Sequence, residues 1–272
     1  MVLPAYVGAL DSKARRETAL ITGASSGIGL DLAQLMAPDF DLIITARNQN
    51  ELEKIARELE SAHGNRVHVV PADLTLPEAP QQMFAEIVRR GLQVDILINN
   101  AGFGLYGPFA DSDAKASLGM IEVNIAALTS LTRLALPGMI ERKRGRIMNV
   151  ASTAGFQPGP LMAVYYATKA YVIMFSEAIA NELKGSGVSV TCLCPGATAT
   201  NFAGRANMEE SRLFKMSAMK SKDVALAGYK GMMAGKGIVI PGVLNKTLAM
   251  SVRFSPRKLV TAISRSLQEK AK

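Results

Sequence analysis

Short apolar segments alternate along the chain with longer segments whose apolar residues recur at helical spacing, and turn residues separate them. Such alternation is typical of repeated β-α-β units, in which helices cover both faces of a parallel sheet. The predicted strands span residues 18–22, 41–46, 67–70, 94–98, 146–151, 188–193 and 237–240. The predicted helices span residues 28–36, 51–62, 80–90, 114–141 and 163–184. We therefore predict an α/β fold with a doubly wound, seven-stranded parallel sheet.

The domain organisation is predicted from the absence of segments that would divide the chain. The chain contains no internal repeat, low-complexity segment or linker, so we predict a single domain over residues 1–272. Its core is expected at about 17–242, followed by a basic helical extension at 243–272. Residues 200–234 mix helical and loop patterns and read as an insertion between two strands. The methionines of this insertion are Met208, Met216, Met219, Met232 and Met233.

Composition excludes several classes of protein. The 272 residues are 49% hydrophobic with a mean hydropathy of +0.16. Charge, glycine or proline nevertheless interrupts every apolar stretch before the roughly 18 residues of a membrane-spanning helix. The first residues lack the features of a secretory signal. Cys192 and Cys194 lie two apart, where a disulfide is geometrically poor, so we expect reduced thiols and a cytosolic protein. With only His63 and His68 as histidines, we expect no metal site.

The net charge of +8 is concentrated at the C-terminal end. Residues 242–272 contain seven basic residues and one acidic residue, Glu269, and therefore carry +6. The remaining 241 residues carry only +2. A nucleic-acid-binding surface spread over the protein is a poor explanation of this distribution, so we expect no nucleic-acid partner.

A glycine-rich turn follows the first predicted strand and precedes the first predicted helix. Glycines permit a tight turn and a close backbone approach, while the N–H groups and the dipole of the helix attract a pyrophosphate. No lysine follows these glycines as a nucleotide-hydrolysing P-loop requires. The context therefore favours a Rossmann-type dinucleotide site over a purely structural turn. The residues of this predicted site are Gly23, Ser25, Ser26, Gly27, Ile28 and Gly29.

Arg47 stands at the end of the second predicted strand, where an NAD-preferring site would place an acidic residue that bonds the ribose 2′-hydroxyl. A guanidinium at this position can form charge-assisted bonds to a 2′-phosphate. We therefore expect a preference for NADP(H), with NAD(H) as the alternative. The competing interpretation is an ordinary surface arginine.

Tyr165 and Lys169 lie four residues apart, on one face of a predicted helix. An ammonium and a cationic nicotinamide ring beside a phenol lower its pKa, which suits proton transfer to a carbonyl oxygen. Ser152 follows the fifth predicted strand, at the end of the sheet where doubly wound folds bind ligands. It is expected to hold the substrate oxygen, although Thr153 is adjacent and a turn serine is the simpler interpretation.

Together these motifs resemble those of the short-chain dehydrogenase/reductase family, in its shorter single-domain branch. The resemblance covers about residues 17–242 and rests on six motifs in the family's order. The motifs are residues 22–29, Asn99-Asn100-Ala101-Gly102, Asn124, Ser152, Tyr165 with Lys169, and Pro195-Gly196.

The resemblance implies a role for each matching residue. Tyr165 would be the general acid/base, and Ser152 would orient the substrate. Lys169 would bond the nicotinamide ribose and lower the pKa of Tyr165, while Asn124 would kink its helix and hold a water linked to Lys169. Further cofactor contacts are implied for Asp73 at the adenine, for Asn100, Ala101 and Gly102 on the adenosine side, and for Pro195, Gly196 and Thr198 near the carboxamide. Thr200 is the alternative to Thr198.

The resemblance also implies a substrate class and an oligomer. The stretch after Pro195-Gly196 closes over the substrate in this family, and its methionines predict an apolar, adaptable pocket. The apolar neighbours expected there are Phe103, Leu105, Phe156, Leu161 and Phe202. We therefore expect a small lipophilic carbonyl or alcohol as substrate. Helices 114–141 and 163–184 resemble the family's oligomer faces, which implies a homodimer or homotetramer.

The C-terminal extension has two interpretations. Ser255 and Pro256 predict a helix start, and Leu259, Val260, Ile263 and Leu267 form one apolar stripe beside basic residues. Such a helix either docks on anionic lipid as a peripheral membrane contact or packs on its own domain. Two other functions therefore remain beside the enzyme, namely a non-catalytic dinucleotide-binding regulator and a membrane-surface protein.

Overall fold

The computed structural model describes residues 15–200 and 218–269. Its centre is a seven-stranded sheet in which every neighbouring pair is parallel. In chain order the strands are β1 (Thr18–Thr22), β2 (Asp41–Thr45), β3 (Val67–Val69), β4 (Ile96–Asn99), β5 (Gly145–Val150), β6 (Val188–Leu193) and, after two short strands, β9 (Ile238–Val239). Their order in the sheet is β3-β2-β1-β4-β5-β6-β9. The predicted doubly wound sheet is confirmed, and each predicted strand end lies within two residues of the observed one.

Burial on both faces explains why the strands are nearly continuous in apolar residues. All five residues of β1 are buried, and successive side chains point to opposite faces. Ile21 belongs to the apolar layer on one face, and Leu20 belongs to the layer on the other. The carboxyl ends of β1, β4 and β5 therefore form one rigid edge, on which the loops of the site are held.

Nine α-helices surround the sheet in the described residues. They are α1 (Gly27–Met36), α2 (Gln49–His63), α3 (Ala79–Arg89), α4 (Ala114–Ile121), α5 (Leu128–Glu141), α6 (Ala163–Glu182), α7 (Ser221–Met233), α8 (Val243–Ser251) and α9 (Arg257–Gln268). Helices α1, α2 and α7 pack on one face through Leu32, Leu52 and Val224. On the other face, α3 and α5 pack through Met83 and Leu131.

The predicted helix 114–141 is continuous but not uniform. A π-helical stretch, Glu122–Ala127, separates α4 from α5 and contains Asn124. Contrary to the expectation from composition, this one helical region of the described chain is long and apolar enough to span a membrane, with a mean hydropathy of 1.3. It buries Val123, Ala127 and Leu131 against the sheet, which identifies it as a core helix of this domain.

The region after β6 differs from the prediction of an insertion. Strands β7 (Thr198–Ala199) and β8 (Met219–Lys220) form a separate parallel pair. Helix α7 then packs against the sheet and buries Met232, so this part of the predicted insertion is core. The predicted residues Phe202, Met208 and Met216 lie outside the described residues.

The C-terminal helix α9 begins one residue later than predicted. Pro256 has an extended backbone, with ψ 131°, and stands at the capping position. The hydroxyl of Ser255 donates to the carbonyl of Ser251 at 2.9 Å instead of capping α9. The prediction that Ser255 caps the helix and that Pro256 is its first residue is therefore wrong. Lys270 and Lys272 lie outside the described residues.

Candidate active site

A cleft of about 730 Å³ runs along the carboxyl ends of the strands. It extends from the glycine-rich turn after β1, past the ends of β2, β4 and β5, to the segment after β6. This is the edge at which open α/β sheets bind their ligands. All the predicted site residues except Gly29 and Asn124 line it directly.

The glycine-rich turn brings backbone close to the cleft. Gly23 and Gly27 have positive φ angles, 67° and 57°, which favour glycine. A Cβ on Gly29 would lie 2.3 Å from the carbonyl oxygen of Gly23, so only glycine fits there. Helix α1 begins at Gly27, and in the described part of the chain Ser26 makes no side-chain cap. The first N–H groups of α1 can therefore donate hydrogen bonds to an anion bound at this end of the helix.

Thr22 and Asn100 fasten this turn to the segment after β4. The Thr22 hydroxyl accepts hydrogen bonds from the N–H groups of Asn100 and Ala101, each at 2.9 Å. The Asn100 amide donates to the carbonyl oxygen of Thr22 at 2.9 Å and to that of Gly23 at 3.3 Å. Asn100 thus holds the turn in shape, a contribution that the sequence motif did not reveal.

Arg47 and Asp73 lie at the rim of the cleft beyond β2 and β3. Arg47 is exposed, and no described residue forms an ion pair or hydrogen bond with its guanidinium group. Asp73 is held in place because its carboxylate accepts from the N–H and the hydroxyl of Thr75, at 3.1 and 2.8 Å. The rim therefore offers one unengaged cation and one oriented carboxylate.

Asn124 links the loop after β4 to helix α6. Its amide nitrogen donates to the Phe103 carbonyl at 3.1 Å and to the Thr168 hydroxyl at 3.0 Å, and its oxygen accepts from the Phe103 N–H at 3.2 Å. The Thr168 hydroxyl in turn donates to the carbonyl of Tyr165 at 2.7 Å. The π-helical stretch thus places a fully buried amide beside the helix that carries the candidate catalytic pair.

Lys169 is 5% exposed and donates from Nζ to the carbonyl of Val150, at the end of β5, at 2.8 Å. Its Nζ lies 5.7 Å from the centre of the Tyr165 ring. Burial lowers the pKa of Lys169 to about 8, because desolvation disfavours the charged ammonium. Tyr165 and Lys169 therefore lie next to each other on one face of α6, as predicted.

Ser152 and Tyr165 meet at the centre of the cleft. A hydrogen bond joins the Ser152 hydroxyl to the Tyr165 phenol. The same hydroxyl accepts from the Ala154 N–H at 3.1 Å and lies 3.3 Å from the Pro195 carbonyl. Burial raises the pKa of Tyr165, and the bond to Ser152 offsets only part of this effect. The protein groups alone thus raise the pKa that the resemblance implied to be lowered.

The two candidate threonines after Pro195-Gly196 both line the cleft. The Thr198 hydroxyl donates to the Gly196 carbonyl at 2.9 Å. Thr200 lies beside the glycine-rich turn, since a Cβ on Gly27 would come within 3.1 Å of its methyl group. Asn245 of α8 packs against Gly196 and was not predicted from the sequence.

The C-terminal helices form a wall of the cleft that sequence reasoning missed. Leu248 of α8 and Leu267 of α9 line the cleft, together with the buried Gln268. The Gln268 amide donates to the Tyr166 hydroxyl, and its backbone carbonyl accepts from the Tyr106 hydroxyl at 2.9 Å. These bonds hold the end of α9 against the domain, beside the predicted catalytic Tyr165.

Most of the described residues predicted to give the cleft an apolar lining do not line it. Among the described residues predicted to line the pocket, only Phe103 does so. Leu105, Phe156 and Leu161 do not line it, and Phe156 packs into the apolar cluster around Val172. The described methionines of the predicted insertion, Met219, Met232 and Met233, do not line it either. The expectation of a methionine-rich pocket is therefore wrong for these residues.

The chain matches the family model described as short chain dehydrogenase over residues 17–211. The ketoacyl reductase HetN of Nostoc sp. (strain PCC 7120) is 32% identical over 88% of this chain and 79% of its own length. A very-long-chain 3-oxoacyl-CoA reductase of Pyrenophora tritici-repentis is 37% identical over 64% of this chain. The match spans about half, 53%, of the length of that fungal relative.

Among solved structures, a short-chain dehydrogenase from Sphingobium yanoikuyae in complex with NADPH superimposes with a TM-score of 0.78. It is 31% identical, and the match covers 88% of this chain and 93% of that one. The likeness therefore extends through most of the described sheet and helices.

Proposed function

Because the chain belongs to the short-chain dehydrogenase/reductase family of oxidoreductases, we propose that it interconverts a carbonyl and a secondary alcohol with a nicotinamide cofactor. Tyr165 is the general acid/base in this proposal. The observation that carries it is the convergence of Ser152, Tyr165 and Lys169 in a cleft that begins at a glycine-rich turn.

The residues present fit a dinucleotide. The turn at Gly23 and Gly29 has no room for a Cβ, and the free N–H groups of α1 suit a pyrophosphate. Asp73 is oriented for the adenine end, while Lys169 and Gly196 line the other end of the cleft. When bound, the cofactor supplies or accepts the hydride.

Arg47 supports a preference for NADP(H), since an unengaged guanidinium at the rim suits the 2′-phosphate. We expect Arg47→Asp to weaken NADPH binding at least about tenfold, because a charge-assisted hydrogen bond contributes about 1.5–3 kcal/mol. NADH affinity should change little. Arg57→Asp, at an exposed position of α2, is the control. Fluorescence titration measures both affinities, and an equal loss for the two cofactors would refute the preference.

Each catalytic candidate has a separate task. Ser152 is fixed by Ala154 and orients the substrate oxygen toward the Tyr165 phenol. Tyr165 is protonated at neutral pH and can therefore donate a proton to the substrate oxygen during carbonyl reduction, although burial raises its pKa and so weakens it as an acid. Lys169 brings a positive charge near the ring, and Asn124 positions α6 through Thr168.

The substrate class follows from the wall of the cleft. Leu244, Leu248, Val252, Ile263 and Leu267 give that side an apolar surface. A relative is named a ketoacyl reductase, and another is named a very-long-chain 3-oxoacyl-CoA reductase. We therefore propose a lipophilic carbonyl compound, with 3-oxoacyl compounds as the first to test, or the corresponding alcohol.

Replacing the phenol hydroxyl tests the central proposal. Tyr165→Phe should lower kcat by a factor of about 10²–10⁴, the range of general acid–base catalysis, and should leave NADPH affinity nearly unchanged. Tyr171→Phe, six residues along α6 on its exposed side, is the control. Turnover across a panel of lipophilic ketones measures the effect. Full activity of Tyr165→Phe would refute the acid/base assignment, while NADPH binding without any turnover by the parent protein would favour the regulator.

A homodimer or homotetramer is proposed from the exposed apolar side chains of α4 and α6. Leu118 is 66% exposed and Met174 is 61% exposed. Tyr171 stacks on Phe175 on the same side of α6. Helical faces of this kind pack well against a second copy, and light scattering of Leu118→Asp against the parent protein tests the assembly.

A further inference from the structure

Exposed apolar side chains are concentrated at the C-terminal helices. Of the 17 exposed large apolar side chains among the described residues, seven lie between Val243 and Ile263. Phe254 is 89% exposed and Val243 is 85% exposed, values that no other side chain of this group exceeds. Contiguous exposure of this kind marks an interaction surface more often than a solvent-facing one.

Helical spacing sorts these residues into an inner and an outer side. In α8 and the following turn, Asn245, Ala249 and Val252 face the cleft. Positions 243, 246 and 250 of α8 recur at the same spacing on the opposite side, and Arg253 and Phe254 of the following 3-10 turn are exposed. In α9, Val260, Ser264 and Gln268 are buried toward the domain. Both helices therefore cover the cleft, and their other sides point outward.

The outer side combines apolar and basic residues. Lys246, Arg253, Arg257 and Lys258 are exposed, and none of them pairs with an acidic group in the described chain. Glu269 is the only acidic residue after Asp223, and it pairs with Arg265 at 3.3 Å. We name this outer side the docking face, made of Val243, Lys246, Met250, Arg253, Phe254, Arg257, Lys258 and Leu259.

We propose that the docking face binds a membrane surface that contains anionic lipids. Apolar side chains between unpaired cations are the combination that interfacial helices use, since the apolar groups enter the acyl boundary while the cations meet the headgroups. A second copy of the chain is a poorer occupant. A two-fold contact would place the docking face against itself and bring its four unpaired cations against four others.

The docking face adjoins apolar side chains that line the cleft. Leu244, Leu248 and Ile263 are each more than half exposed, and the same side chains line the cleft. An apolar path thus leads from the docking face into the site. A lipophilic substrate dissolved in the bilayer reaches the cleft along this path without entering water, and this last step rests on the proposed function.

Flotation with vesicles tests the proposal on the full chain. The parent protein should float with vesicles of phosphatidylcholine and phosphatidylglycerol, and much less with phosphatidylcholine alone. Each basic residue near an anionic surface contributes about fivefold to partitioning, so reversing two charges in Arg253→Glu/Arg257→Glu should weaken it by well over tenfold. Phe254→Asp should weaken it as well, because it replaces a ring that enters the acyl boundary with a charge that the anionic lipids repel.

Matched controls separate docking from general damage. Arg57→Glu and Val88→Asp alter exposed residues of α2 and α3 and should float like the parent protein. Arg253 and Phe254 do not line the cleft, so their variants should keep the parent's NADPH-dependent turnover of a soluble ketone. An inactive parent protein that still floats would refute the proposed function but leave the docking face standing.

Two results would overturn the docking face. The first is equal flotation of the parent protein and Arg253→Glu/Arg257→Glu. The second is absence of flotation by the parent protein. A parent dimer that dissociates in the Phe254→Asp variant on size-exclusion chromatography would then identify the surface as an interface between two copies.

Discussion

Lys169 makes the stability of this protein depend on pH in a way that can be isolated. Its side chain is 5% exposed, and burial lowers its pKa from 10.5 to about 8. Below pH 8 the ammonium is present in the folded and unfolded states, so the folded state bears the full cost of desolvation. Between pH 8 and 10.5 the folded lysine loses its proton while the unfolded lysine keeps it, and stability therefore rises with pH.

The magnitude follows from the difference in pKa. One pKa unit corresponds to 1.36 kcal/mol, so the ammonium costs the folded state about 3 kcal/mol at pH 7 and less than about 1 kcal/mol at pH 10. Lys169→Met removes this titration but keeps a side chain of similar length. Loss of the hydrogen bond to Val150 changes the free energy of unfolding of the variant by an amount that depends little on pH. Between pH 7 and 10, the free energy of unfolding of the parent protein should therefore increase by about 2–3 kcal/mol relative to that of the variant.

Urea unfolding at several pH values measures this difference. Lys54→Met, at an exposed position of α2, is the control and should show a nearly constant difference from the parent protein. A constant difference for Lys169→Met over the same range would refute the reasoning, because it would show that the buried ammonium pays no desolvation cost. A falling difference would show that a neighbouring group stabilises the ammonium.

Two further predictions concern the turn and the wall. Gly29→Ala places a Cβ 2.3 Å from the Gly23 carbonyl oxygen, so it should destabilise the fold by about 1–3 kcal/mol and abolish cofactor binding in a fluorescence titration. Gly237→Ala, where a Cβ meets only open space, should change neither property. Unaltered NADPH affinity in Gly29→Ala would contradict the proposed binding of the cofactor at the glycine-rich turn. Gln268→Ala removes the hydrogen bond to Tyr166 and should raise KM for a lipophilic ketone several-fold with little change in kcat. Unchanged steady-state kinetics would show that α9 does not shape the substrate site.

Most of the sheet could be predicted from the sequence because buried parallel strands leave a local signal. Each strand is a short apolar run. It is followed at its carboxyl end by glycines, which permit tight turns, or by polar residues that can form hydrogen bonds. The turn after β1 and the segment after β4 show this directly, with Gly23 and Asn100. Since these signals are local, they can be recognised in the sequence without knowledge of how the elements pack.

The wall of the cleft could not be predicted because its signal is not local. One of the two interpretations of the apolar stripe of α9 places Leu259 and Ile263 against the domain, but both are about half exposed. The buried side instead contains Ser264 and Gln268, and the amide nitrogen of Gln268 donates to the Tyr166 hydroxyl. A pattern of hydrophobicity cannot show a buried polar face whose partners lie a hundred residues away.

Cys192 and Cys194 have a practical consequence. Both thiols are fully buried at the end of β6, with their sulfur atoms 3.6 Å apart, and the hydrogen bond between them and their burial raise the pKa of Cys194. Alkylating reagents attack the thiolate, so modification requires that β6 separate from its neighbours. The chain has no other cysteine. A time course of alkylation therefore reports how often the centre of the molecule opens, and its slowing by nicotinamide analogues would rank how tightly each one keeps the centre closed.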